Sequence, residues 1–201
     1  EATRPLRFLF IVQGEGRGHL TQALSLADML RRHGHEVVEV LVGKSHGREV
    51  PSFFRSKVKA PVRAYEAPSL IYKKDHKRLD KLRTAFYNGN PRKLRQYGQS
   101  IEMIHRRIKK QQPDVVVNFY EMLPALAQLR FNIAHQYLLR HPDYRHGTGD
   151  AQSLLVLRLH TLLTGIGATK LLALSFYPMK SCARERIVVV PPLLRREVLD
   201  L

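Results

Sequence analysis

Apolar positions along the chain fall into short blocks whose period switches between that of a buried strand and that of a helix. Leu6 to Val12 is an apolar run interrupted only by Arg7, the pattern of a parallel strand covered on both faces. Leu20, Ala23, Leu24, Ala27 and Leu30 then recur at helical spacing. Arg31, Arg32 and His33 put positive charge in the last turn, where the helix dipole favours it. Gly34 is a natural stop, and Val37 to Val42 predicts a second strand. Together they make a strand–loop–helix–strand unit, the start of a doubly wound sheet.

The alternation continues more loosely. Val62 to Tyr65 predicts a third strand, and the polar, basic stretch Ser69 to Asp80 a mobile loop. Leu79, Leu82 and Phe86 predict a short helix ended by Asn88-Gly89-Asn90-Pro91. Leu94, Tyr97, Ile101, Ile104 and Ile108 form one stripe along a helix that Pro113 closes. Val115 to Phe119 predicts a strand, Met122 to Leu129 a helix, and Asn132 to Leu139 another strand. A loop over His141 to Asp150 follows, then a helix over Leu154 to Leu163 and strands over Lys170 to Phe176 and Ile187 to Val190. Neither an internal repeat nor a second domain is visible. The expectation is one α/β, Rossmann-like three-layer domain spanning 1–201, with a mainly parallel sheet.

Composition narrows this further. At 201 residues and 44% hydrophobic content, the chain can bury one large core, and disorder is not the default reading. No run approaches the ~18 apolar residues of a membrane span. Leu9 to Val12 is too short for a signal-peptide core. Cys182 is the one cysteine, so no internal disulfide forms, which fits a reducing compartment and a cytoplasmic protein. The net charge of +17 implies attraction to something anionic without specifying a fold. Between Lys73 and Lys110 there are 13 Lys or Arg against Asp75, Asp80 and Glu102, a balance of +10. On the helix carrying Ile101 and Ile104 these basic residues lie opposite the apolar stripe. They make either a solvated face or a surface for anionic lipid at the inner face of a membrane. Nucleic acid is the less favoured partner, because no recognised binding motif or aromatic platform accompanies the charge.

The candidate chemistry gathers at Gly14-Glu15-Gly16-Arg17-Gly18-His19. This stretch leaves the carboxyl end of the first strand, the edge where open α/β sheets collect ligands. Glycines allow a tight turn and close approach, and the following helix offers free N–H groups. A dinucleotide fingerprint is excluded, because His19 stands where its third glycine belongs. Gly43-Lys44-Ser45 mimics the end of a P-loop, but that motif's first glycine would fall at Val38, inside a strand. No cofactor motif or metal-binding cluster is apparent. His19 is the sharpest single candidate, since an imidazole can take a hydroxyl proton near neutral pH. As a residue of an exposed loop it would point into the strand-end crevice; helix capping is the rival role.

The stretch Phe8 to His19, followed by Ala23, Leu26, Ala27, Leu30 and Gly34-His35-Glu36-Val37, resembles the opening of GT-B glycosyltransferases of families 28 and 1. The resemblance covers about the first 45 residues, and Gln112-Pro113-Asp114-Val115-Val116-Val117-Asn118 resembles a second strand of those domains. It implies half of a GT-B fold. This would be an N-terminal domain that binds a hydroxyl acceptor, such as a lipid-linked one, for hexosyl transfer. The nucleotide-sugar donor would be bound mainly by a C-terminal domain absent from this chain, so the fragment alone would be inactive. It also implies an inverting mechanism with His19 as general base and Gly14, Glu15, Gly16, Arg17 and Gly18 lining the substrate. Related enzymes often brace that histidine with an aspartate where this chain has Asn118. Glu121, or Glu15, would then supply the missing negative charge. The alternative from another class is a noncatalytic membrane- or nucleic-acid-binding module on a Rossmann-like scaffold.

Overall fold

The computed structural model describes residues 4–45, 48–69, 80–124, 131–133, 135–144 and 151–194. Its strands are β1 (Arg7–Gln13), β2 (Glu36–Lys44), β3 (Val62–Glu66), β4 (Val115–Phe119), β5 (Phe131–Ile133), β6 (Lys170–Leu174) and β7 (Ile187–Val190). They form one sheet in the order β3-β2-β1-β4-β5-β6-β7, and every named pair is parallel. The helices are α1 (Arg17–Arg32), α2 (Ser52–Val58), α3 (Lys81–Asn88), α4 (Pro91–Gln111) and α5 (Ala151–Thr164), with a 3-10 helix at His135–Arg140.

Parallel strands need both faces covered, and β1 meets that need directly: Leu9, Phe10, Ile11 and Val12 are all fully buried. Phe10 and Val12 pack with Leu20, Ala23 and Ala27 of α1 and Phe54 of α2. Leu9 and Ile11 pack on the other face with Tyr97 and Ile104 of α4. The α/β layering read from the sequence is therefore present. Gly34 closes α1 with a φ of +77°, a conformation in which side chains are strained.

Glu39 is buried on the α4 face without being a site. Its carboxylate accepts from Arg63 at 2.7 Å, Arg107 at 2.8 Å and Gln111 at 3.2 Å. Burial pushes its pKa up, but the hydrogen bonds from Arg107, Arg63 and Gln111 win and hold it below the usual value. Arg107 and Lys93, the latter bonded to Glu66, are thus basic residues spent inside the fold.

One expectation changes, one helix has no sequence signal, and three expectations lie largely outside the described residues. α2 carries no clear stripe and was not legible in the sequence. Asn132 to Leu139 is not one strand: pairing stops at Ile133 and the chain tightens into the 3-10 helix. That turn delivers Tyr137 into full burial, with its hydroxyl donating to Thr164 Oγ1 at 3.3 Å. The predicted helix over Met122 to Leu129 and loops over Ser69 to Asp80 and His141 to Asp150 lie largely outside the described residues.

Candidate active site

The chain runs from β1 outward to β2 and β3, then returns past β1 to β4. That reversal makes the carboxyl ends of β1 and β4 the switch point, where open sheets form a crevice. The glycine stretch lies there, and its glycines serve different purposes. Gly14 N–H donates to Gly43 O at 2.7 Å. A Cβ on Gly14 would stand 2.7 Å from that oxygen and 2.8 Å from Val42 Cγ1, so the first glycine is required by backbone approach. Around Gly16 and Gly18 a Cβ would meet nothing within 4 Å. Both instead line a cavity of about 710 Å³ that also receives Glu15 and His19. Gly14 and Arg17 face a smaller hollow of about 270 Å³ across the loop. Of the predicted substrate-lining residues, Glu15, Gly16 and Gly18 therefore share the large cavity with His19, and Gly14 and Arg17 do not.

His19 is not on an exposed loop. Gly16 is the extended N-cap, α1 begins at Arg17, and His19 sits in the first turn at 8% exposure. Its ring stacks on Tyr120, with centroids 5.5 Å apart and planes 24° apart. Tyr120 follows β4 with a φ of +61°, an outlier for a bulky side chain and a kind that persists only when its surroundings enforce it. Asn118 supplies the enforcement. Its Oδ1 accepts from Glu121 N at 2.9 Å and its Nδ2 donates to Glu121 O at 2.8 Å. Asn118, expected to orient His19, thus clamps the turn with its amide, and that turn carries the Tyr120 ring that stacks on the imidazole. Tyr120 is held at its far end by a 2.9 Å bond to Thr161 Oγ1. Thr161 donates its own proton to Leu157 O at 2.8 Å, so Tyr120 is the donor.

Glu121, the carboxylate expected to supply charge, is enclosed beneath the turn. It is 3% exposed, its Oε1 accepts from Met122 N at 2.8 Å, and its other oxygen is packed against Gly43 without a partner. Burial pushes its pKa up to about 8, against the lowering effect of the Met122 and Leu123 N–H groups and with help from the charge on Glu15. The shift disfavours the charged form, and Glu121 is not among the residues that line the cavity beside His19. Between pH 4.5 and 8 the unfolded chain releases this proton while the fold retains it, so stability falls as pH rises through that window. Glu121→Gln should abolish this term. Urea denaturation at intervals from pH 5 to 8.5 should show wild type losing on the order of 3 kcal/mol relative to the variant; parallel curves would contradict the assignment.

Glu15 is the carboxylate that does reach the cavity. Its Oε1 accepts from Ser45 N at 2.8 Å, its Oε2 from Ser69 Oγ at 3.3 Å, and Arg48 pairs with it at 3.4 Å. Asn88 braces the same Ser69: it bonds the Ser69 backbone through both amide atoms and accepts from Tyr97 Oη at 2.9 Å. In the sequence Asn88 marks only a helix break and Tyr97 only part of an apolar stripe. Tyr120 and His160, the latter also lining the cavity, carried no motif at all. Among the described residues, no group of three His, Cys, Asp or Glu side chains comes together as a metal site.

The sequence profile of the family described as Glycosyl transferase family 1 matches residues 6–201. The chain belongs to this family. No curated protein matches it. Among solved structures, Arabidopsis thaliana UGT89C1 complexed with UDP-L-rhamnose is similar at 17% identity and a TM-score of 0.52, over 96% of this chain and 54% of that one. The glycotransferase of kitacinnamycin is similar at 15% identity and 0.52, over 96% and 53%. MurG of Acinetobacter baumannii aligns at 13% identity and 0.48, over 87% and 43%. At such identities the first two likenesses speak for the fold, a Rossmann-like half of GT-B. The chain spans about half the length of these solved chains.

Proposed function

We propose that this family 1 domain is the acceptor-binding half of an inverting hexosyltransferase, with His19 as general base. The observation that carries the reading is the placement of His19 on the 710 Å³ cavity at the β1/β4 switch point, beside the open faces of Gly16 and Gly18. His19 removes the proton from the acceptor hydroxyl, and the oxygen attacks the anomeric carbon. The bond from that carbon to the diphosphate breaks, and the nucleoside diphosphate leaves with the electron pair. The donor is held mainly by the half of a GT-B enzyme outside this chain. Tyr120 fixes the imidazole's plane, and the Asn118 clamp fixes Tyr120. A screen of nucleotide-sugar donors and hydroxyl acceptors on the full-length protein tests this. Turnover with an α-linked donor should give a β-linked product by NMR coupling constants. Retention contradicts the mechanism, and absence of transfer with every donor favours the noncatalytic binding module.

A second observation bears on where the acceptor comes from. Leu82 and Phe86 of α3 and Leu94 of α4 are 74%, 79% and 57% exposed, and Leu94 also lines the cavity. Arg83, Arg92 and Arg95 are exposed among them. Apolar side chains ringed by basic ones suit an anionic membrane surface, at about 1 kcal/mol per basic residue. Among the described residues no helix is long and apolar enough to cross a membrane, so peripheral contact is the form proposed. Vesicles containing anionic lipid should bind the protein more than neutral ones, with the difference shrinking as salt screens the charges. Equal binding to both would remove the electrostatic argument.

A further inference from the structure

Helix α5 carries its polar and apolar residues on the wrong sides for a surface helix. His160, Thr161 and Thr164 are buried, while Leu155, Leu159, Leu162 and, just past the helix, Ile166 are 67%, 54%, 49% and 47% exposed, the reverse of what burial favours. The buried threonines are accounted for, because Thr161 holds Tyr120 and Thr164 holds Tyr137. The outward residues are not. Their spacing of i, i+4, i+7 and i+11 sets them in one stripe, and Arg158 is the one Asp, Glu, Lys or Arg between Ala151 and Thr169. A contiguous exposed apolar stripe of this kind marks a contact surface.

The surroundings of α5 select the partner. A Cβ on Gly165, at the end of α5, would stand 3.4 Å from Leu171 Cδ2. Leu171 and Ala173 cluster with Tyr120 and Tyr137, whereas Leu172 and Leu174 pack on the α1 side of the sheet. α5 therefore lies on the face opposite α1, the face that also carries α4. On that face α4 exposes Arg92, Arg95, Arg106, Lys109 and Lys110. A second copy would bring together two chains of net charge +17, and that repulsion opposes pairing. An anionic lipid surface attracts the same charge and accepts apolar side chains at the boundary of headgroups and acyl chains. With 14 residues, α5 is about 21 Å long, too short to cross a hydrocarbon core of roughly 30 Å and suited to lying in its plane.

We propose that α5 is a membrane-docking element, its stripe of Leu155, Leu159, Leu162 and Ile166 seated in an anionic lipid surface with the basic residues of α4 beside it. This rests on the peripheral contact read above from α3 and α4 and extends it to a separate helix. α5 reaches the cavity through His160 and α4 through Leu94, so both elements border the acceptor site.

The chain has no tryptophan, so an introduced one reports on its own position. Leu159→Trp and, separately, Phe86→Trp are placed in the full-length protein, and fluorescence is read as the difference from the unsubstituted protein. The probe is vesicles of equal parts phosphatidylglycerol and phosphatidylcholine, with and without bromine on the acyl chains. Emission from Leu159→Trp should move to shorter wavelength on binding and be quenched by the brominated lipid. Replacing Leu155 and Leu159 together with glutamine leaves the charge unchanged and should weaken vesicle binding by about 10-fold, the scale of two half-exposed leucines losing their burial. Quenching of Phe86→Trp without quenching of Leu159→Trp, or binding unchanged in the double glutamine variant, overturns the role of α5 and leaves contact through α3 and α4 standing. Quenching of neither overturns the membrane reading itself. A shift of Leu159→Trp that grows with protein concentration and ignores vesicles shows that a second copy covers the stripe, and it overturns the proposal.

Discussion

Replacing His19 with alanine in the full-length protein should slow the chemical step by roughly 10²- to 10⁴-fold, the usual contribution of a positioned base. The variant also loses the stack on Tyr120, and aromatic contacts of this kind are worth about 0.5–1.5 kcal/mol beyond their buried area. Some loss of stability is therefore expected, and the rate is to be read per folded molecule in single turnover. His19→Gln separates proton transfer from scaffolding. Glutamine fills much of the space and can hydrogen-bond, but it cannot take a proton near neutral pH. It should behave like alanine in rate while losing less stability. Near-normal turnover in His19→Gln would reject the base assignment and turn attention to Glu15, the carboxylate that reaches the cavity.

Gly43→Ala should be among the most destabilising single substitutions in the domain. A Cβ at this position would stand 2.7 Å from Glu121 Cδ, closer still to its carboxylate oxygen, and 3.0 Å from Tyr65 Oη. Neither neighbour can swing aside, because Glu121 is 3% and Tyr65 6% exposed. Overpacking on this scale costs about 3 kcal/mol, which in a domain of this size lowers Tm by roughly 10 °C. Combining Gly43→Ala with Glu121→Ala removes the obstructing side chain and should recover part of the loss, a non-additivity that marks direct contact. Gly16→Ala, built into open space, should leave Tm nearly unchanged. If Gly43→Ala melts like wild type, the close packing of Glu121 on β2 is wrong.

What could be read in advance follows from how each feature is encoded. β1, α1 and β2 were legible because their burial is nearly complete and their periods are clean. Leu9 to Val12 has no polar interruption, and Leu20, Ala23, Leu24 and Ala27 fall on one face of α1. α3 was legible from Leu82 and Phe86, yet those residues are exposed, so the periodicity there was not a record of packing. Gly14 to His19 leaves the carboxyl end of β1 as its sequence implies, although helix α1 claims Arg17 onward. The chemistry beside His19 was harder to see. Asn118 and Glu121 were chosen for residue type and strand-end position. Their placements depend on a turn with positive φ at Tyr120 and on burial against Gly43, neither of which has a local signature. Tyr120, Asn88 and His160 come together only when separate elements converge at the switch point, and no spacing along the chain announces that.

The proposed reaction places the acceptor in this domain with its reacting hydroxyl against His19. A structure of the full-length protein bound to its acceptor and a nucleoside diphosphate tests it most directly. The acceptor is expected in the cavity lined by Gly16, Gly18 and His160. Its reacting oxygen should lie about 3 Å from a ring nitrogen of His19, the reach of a general base. An acceptor bound elsewhere, or one whose reacting oxygen is contacted by a different base while His19 stays packed on Tyr120, would contradict it.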